Sequence, residues 1–189
     1  NLILVDGDGS VMNIRNINTM YAATGNDNTI TVSNGGRINC SGGIELMNAN
    51  HAVNLNSGGE LNITTLNLST ASARLNFDGG RLIAQAAGSL ITGTGRINLI
   101  GDGTIETDYD RTISAVIYGP GGLTKDGTGK LTISGANEYT GDTTVLEGIL
   151  SLSTAFLDDS SAVAIASGAA LDLGFAGQDT IMDLYLGGQ

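Results

Sequence analysis

The sequence has few of the residues on which enzymes, metal sites and nucleic-acid-binding proteins depend. It has no Trp, one Cys, one His and one Pro among 189 residues, and only 8 Lys and Arg against 19 Asp and Glu. A single Cys excludes an internal disulfide, and one His without a surrounding motif is too little for a Ser-His-Asp triad. The net charge of −11 argues against nucleic acid and anionic membrane surfaces as partners, since binding to them depends on Lys and Arg.

Long apolar runs and aromatic side chains are also scarce. No run approaches the ~20 residues of a membrane helix, and no basic, apolar leader begins at Asn1. Aromatic residues make up 4% of the chain, so a core has to consist of Leu, Ile, Val and Ala. We therefore expect no membrane insertion by this chain. Because it starts and stops within its pattern, we also expect a piece of a longer protein.

Glycine is abundant, with 29 residues, and it punctuates a repeated motif. The first apolar residues of the motif Gly-x-apolar-x-apolar, which recur roughly every 22 residues, are Ile38, Leu61, Leu82, Ile105, Leu131, Leu150 and Leu171. A second series keeps the same spacing, with its longest step at the same place, and consists of Val53, Leu75, Ile97, Leu123 and Val145. Alternating apolar and polar residues indicate strands with one buried face, and this spacing is typical of a solenoid.

Stacked coils of roughly 22 residues predict an all-β fold, a right-handed parallel β-helix of about eight coils. We predict one domain over residues 1–189, with residues 1–28 as an irregular N-terminal cap coil that contains strands at 2–5 and 11–14. The open ends of such a helix present unpaired strand edges. The asparagines that either form side-chain ladders between coils or face solvent are Asn39, Asn54, Asn62, Asn67, Asn76 and Asn98.

Two acidic segments are candidates for a site. Asp6-Gly-Asp-Gly-Ser10 resembles the start of a calcium loop, but the position where such a loop has Glu is Ile17, so an acidic turn is the alternative. Asp108, Tyr109, Asp110 and Arg111 could serve acid–base cleavage of an acidic sugar. The alternative is a loop in which Arg111 pairs with an Asp. No other coil offers an evident catalytic partner.

The two singular residues are expected to be structural. His51 lies in a polar segment and is predicted to be a solvated turn residue, because no Cys or second His could share a metal with it. Cys40 falls on an apolar position of the motif and is predicted to be a small inward-facing hydrophobe. We therefore predict no catalytic, cofactor-binding or metal-binding residue, and no enzyme activity.

Residues 119–153 carry the most specific motif. It consists of Gly121-Gly-Leu-Thr-Lys125, Gly127, Gly129, Leu131-Thr-Ile-Ser-Gly135, Asn137, Tyr139-Thr-Gly141, Thr143-Thr-Val145, Gly148 and Leu150. This set resembles the passenger-associated transport repeat, also called the autotransporter-associated β-strand repeat, and residues 161–173 resemble what commonly follows it. The resemblance implies a right-handed parallel β-helix in the passenger of a type V secreted bacterial protein. Its positions are structural, so no catalytic residue carries over, and export is implied for a parent protein.

Three functions are open at this point. The first is a non-catalytic structural and adhesive module, extracellular or on the bacterial surface, that binds a host or cell-surface ligand and self-associates through its sides or open ends. The second is a self-assembling subunit of an extracellular filament or surface layer. The third is a β-helix polysaccharide lyase or hydrolase, since fold alone does not decide function.

Overall fold

The structure, a computed structural model, describes residues 1–19 and 27–187, which form 22 β-strands and no helix. In chain order, the strands are Leu2–Asp6 (β1), Val11–Ile14 (β2), Ile17–Thr19 (β3), Thr29–Ser33 (β4), Arg37–Leu46 (β5), Ala52–Asn56 (β6), Glu60–Leu68 (β7), Arg74–Asp78 (β8), Arg81–Ala84 (β9), Gly88–Gly93 (β10), Arg96–Leu99 (β11), Gly103–Thr107 (β12), Arg111–Ile113 (β13), Val116–Gly119 (β14), Leu123–Asp126 (β15), Lys130–Ile133 (β16), Glu138–Tyr139 (β17), Thr143–Val145 (β18), Ile149–Leu152 (β19), Ala162–Ile165 (β20), Ala170–Leu173 (β21) and Asp183–Leu186 (β22).

The strands stack in parallel on three faces of a solenoid. The first face is the sheet β1-β4-β6-β8-β11-β14-β17. The second consists of β2, the start of β5, the start of β7, then β9, β12, β15, β18, β20 and β22. The third consists of β3, the ends of β5 and β7, then β10, β13, β16, β19 and β21. The prediction of a parallel β-helix of about eight coils is confirmed.

The core is a set of inward-facing columns that run along the axis. On the first face, Ile30, Val53 and Leu75 are partners in register, and each is at most 2% exposed. Every second residue of a strand points inward, and the in-register stacking places one apolar side chain on the next. Full burial of such a side chain contributes about 1.5–3 kcal/mol, so the columns supply most of the stabilisation.

The two predicted series of apolar residues each combine two faces. Ile105 lies on the second face, and its partner in the next coil is Lys125, whereas Leu131 belongs to the third face. The second series likewise moves from Ile97 on the first face to Leu123 on the second. The longest step of both series is therefore a change of face, because the same glycine motif introduces strands on more than one face.

A column of glycines marks the corner between the first and second faces. A Cβ on Gly121 would overlap the carbonyl oxygen of Gly101, and one on Gly141 would overlap the carbonyl carbon of Gly121. Neither glycine has the positive φ that favours glycine, so this corner requires the missing side chain and not an unusual backbone. Adjacent coils can approach closely there only without a Cβ.

The first coil pairs with the second on all three faces. β1 and β2 cover the strands predicted at residues 2–5 and 11–14, and each is in register with the coil that follows. The predicted irregular coil also includes residues 20–26, which lie outside the described part of the chain. The cap itself and the single domain over 1–189 stay predictions.

Candidate functional site

The Asp108–Arg111 cluster, considered for acid–base chemistry, fills the corner between β12 and β13. Arg111 is 1% exposed, and its guanidinium donates to the backbone carbonyls of Thr64, Ala86 and Ser89. Burial lowers the pKa of Arg111 from its ordinary value. The expected pairing of Arg111 with an Asp is wrong. Arg111 is two residues before the inward Ile113, so it lies on the same face of the strand and points into the solenoid.

Aspartates at the corners bond to backbone amides of the following coil. Asp108 Oδ1 accepts a hydrogen bond from Thr128 N at 3.0 Å, and Asp110 Oδ1 accepts one from Lys130 N at 3.2 Å. Asp102 does the same for Gly122 N at 2.8 Å, and Asp142 for Ala162 N at 2.7 Å. In all four pairs the donor belongs to the coil after that of the acceptor. These carboxylates join successive coils through the backbone.

A shallow depression of about 390 Å³ lies beside the glycine corner, lined by Asp102, Pro120, Gly122, Thr124, Gly141, Asp142 and Thr144. Its two carboxylates are the coil-joining groups just described, and no cation accompanies them on the lining. Within the described ranges, no three His, Cys, Asp or Glu side chains are grouped as a metal site would require. The depression therefore offers hydroxyl and carboxylate oxygens at a corner and no nucleophile–base pair.

The Asp6–Ser10 turn has the hydrogen bonds of an acidic turn. Asp6 Oδ1 accepts from Ser33 Oγ at 2.6 Å and from Asn34 Nδ2 at 2.8 Å, both in the second coil. These two bonds, that from Ser33 first, lower the pKa of Asp6. Ser10 Oγ donates to the Asp6 carbonyl at 2.7 Å. The carboxylate of Asp6 is thus engaged between two coils.

The prediction for His51 is wrong, whereas that for Cys40 is confirmed. His51 is 1% exposed, because it occupies the corner position that buried Ala73 has in the next coil, one residue before the first-face strand. Cys40 is fully buried between Ile14 and Ile63 in an inward column. Burial raises the pKa of the Cys40 thiol. Both residues belong to the core.

Within the repeat of residues 119–153, Lys125 is a charged residue that occupies a position in an otherwise apolar inward column. It lies between Ile105 and Val145 and is fully buried. Its Nζ donates to the carbonyls of Asp126 (2.8 Å), Gly127 and Glu147 (3.0 Å), so that it ties its own corner to that of the next coil. Burial lowers the pKa of Lys125, while nearby carboxylates, that of Asp126 foremost, act in the opposite direction.

Sequence reasoning missed the inward cations, although a signal existed. Lys125 is two residues after the inward Leu123, and Arg111 is two residues before the inward Ile113. In a strand, residues two apart share a face. The alternation therefore placed both side chains inside, and their charge alone suggested the outside.

The outward surface of the solenoid carries ladders of side-chain amides. On the first face, Asn54 Nδ2 donates to Thr31 Oγ1 at 3.3 Å, and Asn76 Nδ2 donates to Asn54 Oδ1 at 2.8 Å. On the other faces the ladder bonds join Asn39 to Asn13, Asn62 to Asn39 and Asn67 to Glu45. Of the asparagines considered for ladders, all except Asn98 make such a bond to a neighbouring rung within the described residues.

At the end of the first-face ladder, Arg96 connects Tyr118 and Glu138 of the next two coils. Its guanidinium carbon lies 4.3 Å from the centre of the Tyr118 ring, and its Nη2 pairs with Glu138 Oε2. Arg74 lies beside Arg96 in register, one coil earlier. This partly exposed array of amide, guanidinium and phenol groups can hydrogen-bond a polar ligand.

Comparisons with known proteins agree with this geometry. Residues 123–152 match the family of the passenger-associated-transport-repeat. The chain is also similar to the adhesin BmaC autotransporter of Brucella suis biovar 1 (strain 1330), with 38% identity over 79 residues, which is 42% of this chain and 2% of the adhesin. No solved structure matches. No helix in the described residues has the length and apolarity to cross a membrane. The resemblance of residues 119–153 to the passenger-associated transport repeat is thus confirmed over residues 123–152, and the two matches together support an autotransporter passenger repeat domain.

Proposed function

We propose that this domain is a non-catalytic, rigid β-helical module through which a bacterium adheres to a surface outside the cell. As an autotransporter passenger repeat domain, the chain is displayed on the cell surface or secreted. The similarity to an adhesin supports the adhesive role, but it spans only a small part of that protein. The ligand therefore has to be sought on the outward faces of this chain.

One observation carries the proposal: the charged side chains of the Asp108–Arg111 cluster and of Lys125 are already used to join coils. Lys125 and Arg111 are buried and donate to backbone carbonyls, and Asp108 and Asp110 accept from backbone amides. An acid–base enzyme needs a free carboxyl group aimed at a substrate. The long in-register faces instead offer repeated polar groups on a stiff support, which suits binding.

Adhesion of particles coated with the chain tests the proposal. Fluorescent beads carrying the purified chain should be retained on host-cell monolayers or matrix-coated glass well above beads carrying albumin. In parallel, the chain is incubated with a panel of acidic polysaccharides, and reducing ends and unsaturated products are measured. No retention on any surface would contradict adhesion. Glycan cleavage that disappears when Asp108 and Asp110 are both replaced by Asn would instead favour the lyase or hydrolase.

Self-association through the sides or ends remains a separate proposal. The net charge of −11 opposes contact between identical copies at low salt, because like charges repel over about a Debye length. Light scattering over a wide range of concentration and salt tests it. A mass that rises with concentration would support self-association, and a constant monomer mass would contradict it.

A further inference from the structure

The cations of this acidic chain are distributed unevenly. Arg111 and Lys125 are buried, and the ion pairs nearer the surface join Arg37 to Glu60, Arg81 to Glu106 and Asp126, and Lys130 to Asp172. Arg74 and Arg96 lie next to each other in register on the outer side of the first face. Neighbouring strands are about 4.8 Å apart, so the two side chains leave the sheet side by side.

This pair of arginines is only partly neutralised. Arg74 donates through Nη1 to the carbonyls of Ala71 and Ala73, at 2.6 and 2.9 Å, and among the described residues it forms no ion pair. Arg96 pairs with Glu138, whose side chain is 64% exposed. Like charges directly opposite each other destabilise a sheet, and an exposed ion pair contributes little. An anion that bridges the two guanidinium groups would relieve the repulsion.

The groups around the pair are those that recognise a sugar. Asn76 and Asn98 are the rungs of the outward column beside Arg74 and Arg96, and Tyr118 is the next rung of that column. Guanidinium groups bind carboxylates in a two-pronged geometry, and amide and phenol groups donate to and accept from sugar hydroxyls. The rungs repeat at the strand spacing, which is close to the length of one pyranose in an extended chain.

We propose that Arg74, Arg96, Asn76, Asn98 and Tyr118 form a binding surface, here called the Arg74–Arg96 patch, for a linear polysaccharide that carries carboxylate groups. The glycan lies along the axis of the solenoid, with a uronate carboxylate at the two guanidinium groups and its hydroxyls at the amides of Asn76 and Asn98 and the phenol of Tyr118. Glu138 competes with the ligand for Arg96. This inference rests on the proposed adhesive function and names the class of ligand.

Binding of a hexamer of galacturonic acid, with maltohexaose as the uncharged control, tests the patch by titration calorimetry or NMR. The chain should bind the acidic hexamer at least about tenfold more tightly than maltohexaose, since its carboxylate makes charge-assisted hydrogen bonds to Arg74 and Arg96 that maltohexaose cannot make. Binding should weaken as salt rises, because the patch is solvent-accessible. Equal affinity for the two hexamers, or no binding of the acidic hexamer at millimolar concentration, would overturn the proposal.

Three substitutions at surface positions locate the contact. Arg74→Gln should weaken binding of the acidic hexamer by about tenfold, whereas Glu138→Gln should strengthen it severalfold by releasing Arg96. Arg37→Gln on the second face is the matched control, since it makes the same change of net charge and also removes a surface arginine, but it should leave binding unchanged. Equal effects of Arg37→Gln and Arg74→Gln would overturn the patch, because they would show a response to net charge alone.

The bead assay separates this inference from the proposed function. If coated beads adhere and Arg74→Gln beads adhere equally well to a galacturonate-coated surface, the patch is refuted while adhesion stands. If wild-type beads adhere nowhere but the acidic hexamer binds the chain in solution and depends on Arg74, the patch stands and adhesion is refuted.

Discussion

Replacing Lys125 with Met should destabilise the corner that joins the coil of β15 to the coil of β18. Met fills the column between Ile105 and Val145 but donates no hydrogen bond, so the carbonyls of Asp126, Gly127 and Glu147 lose the Nζ donor. A buried carbonyl that loses its donor costs about 1–3 kcal/mol. Removal of the buried ammonium group offsets part of this loss of stability, because burying a charge has a large desolvation cost. We expect a net loss of about 2 kcal/mol from these opposing effects.

Lys130→Met is the matched control. Lys130 lies on the next strand, is partly exposed, and pairs through Nζ with Asp172 at 2.9 Å. Loss of such a pair should change the free energy of unfolding by less than about 1 kcal/mol. Urea denaturation followed by circular dichroism measures the global effect, and hydrogen exchange at residues 126–129 and 146–149 measures the local one. Because solenoids can lose coils separately, the exchange data decide where the stability is lost.

A Lys125→Met variant as stable as the wild type, or more stable, with unchanged exchange at the two corners, would refute this reasoning. In that case Lys125 would be a buried charge that the column tolerates, and the three carbonyl contacts would contribute no net stability. The replacement of buried ion pairs by apolar groups has that outcome in some proteins, so the measurement discriminates between two physical accounts.

Three further predictions concern Tyr139, the glycine corner and Cys40. Burial raises the pKa of Tyr139 from its ordinary value of 10.0 to about 12. The free energy of unfolding should therefore be unaffected by this group below pH 10 and should fall by roughly 2–3 kcal/mol as the pH rises toward 12, because the unfolded chain loses the phenol proton first. Urea titrations between pH 9 and 12 should show this loss in the wild type and not in Tyr139→Phe; parallel curves would contradict it. Gly121→Ala should cost more stability than Gly174→Ala, by about 1–3 kcal/mol, because its Cβ would lie 2.0 Å from the carbonyl oxygen of Gly101 whereas that of Gly174 would lie 3.2 Å from the carbonyl oxygen of Leu152, and neither glycine has a positive φ. Thermal melts compare the two variants, and the reverse order would contradict the close approach. Cys40 should react with a thiol reagent only as fast as the chain opens, and labelling at the rate of a free thiol in native buffer would contradict its burial.

The sequence was sufficient for the fold because the fold is a repeated local pattern. Alternation within strands and a regular step between them indicate stacked coils before any long-range contact is known. What the pattern could not supply was the assignment of strands to faces. Gly-Arg-Leu82 opens a strand on the second face and Gly-Lys-Leu131 one on the third. Strands on either face begin after a glycine turn and carry a buried apolar residue. The same motif can therefore occur at different places in the coil.

The polar sites were less predictable because burial depends on the coils above and below. The Asp108–Arg111 cluster combines groups typical of acid–base chemistry, yet its arginine points inward and its aspartates bond to the next coil. His51 was expected in solvent from its polar neighbours, but its position in the coil is a corner that packs inward. Residues one coil away in sequence determine both outcomes, and no local window contains them.

The direction of the backbone hydrogen bonds has a mechanical consequence. They connect each coil to the next and therefore run along the long axis, so tension applied between the two ends loads them in series. Coils should then peel away singly from an end, and from β12 to β20, where partners are about 20 residues apart, each release lengthens the chain by about 70 Å. A surface protein built this way should extend under shear one coil at a time, while the coils that remain folded retain their outward surfaces.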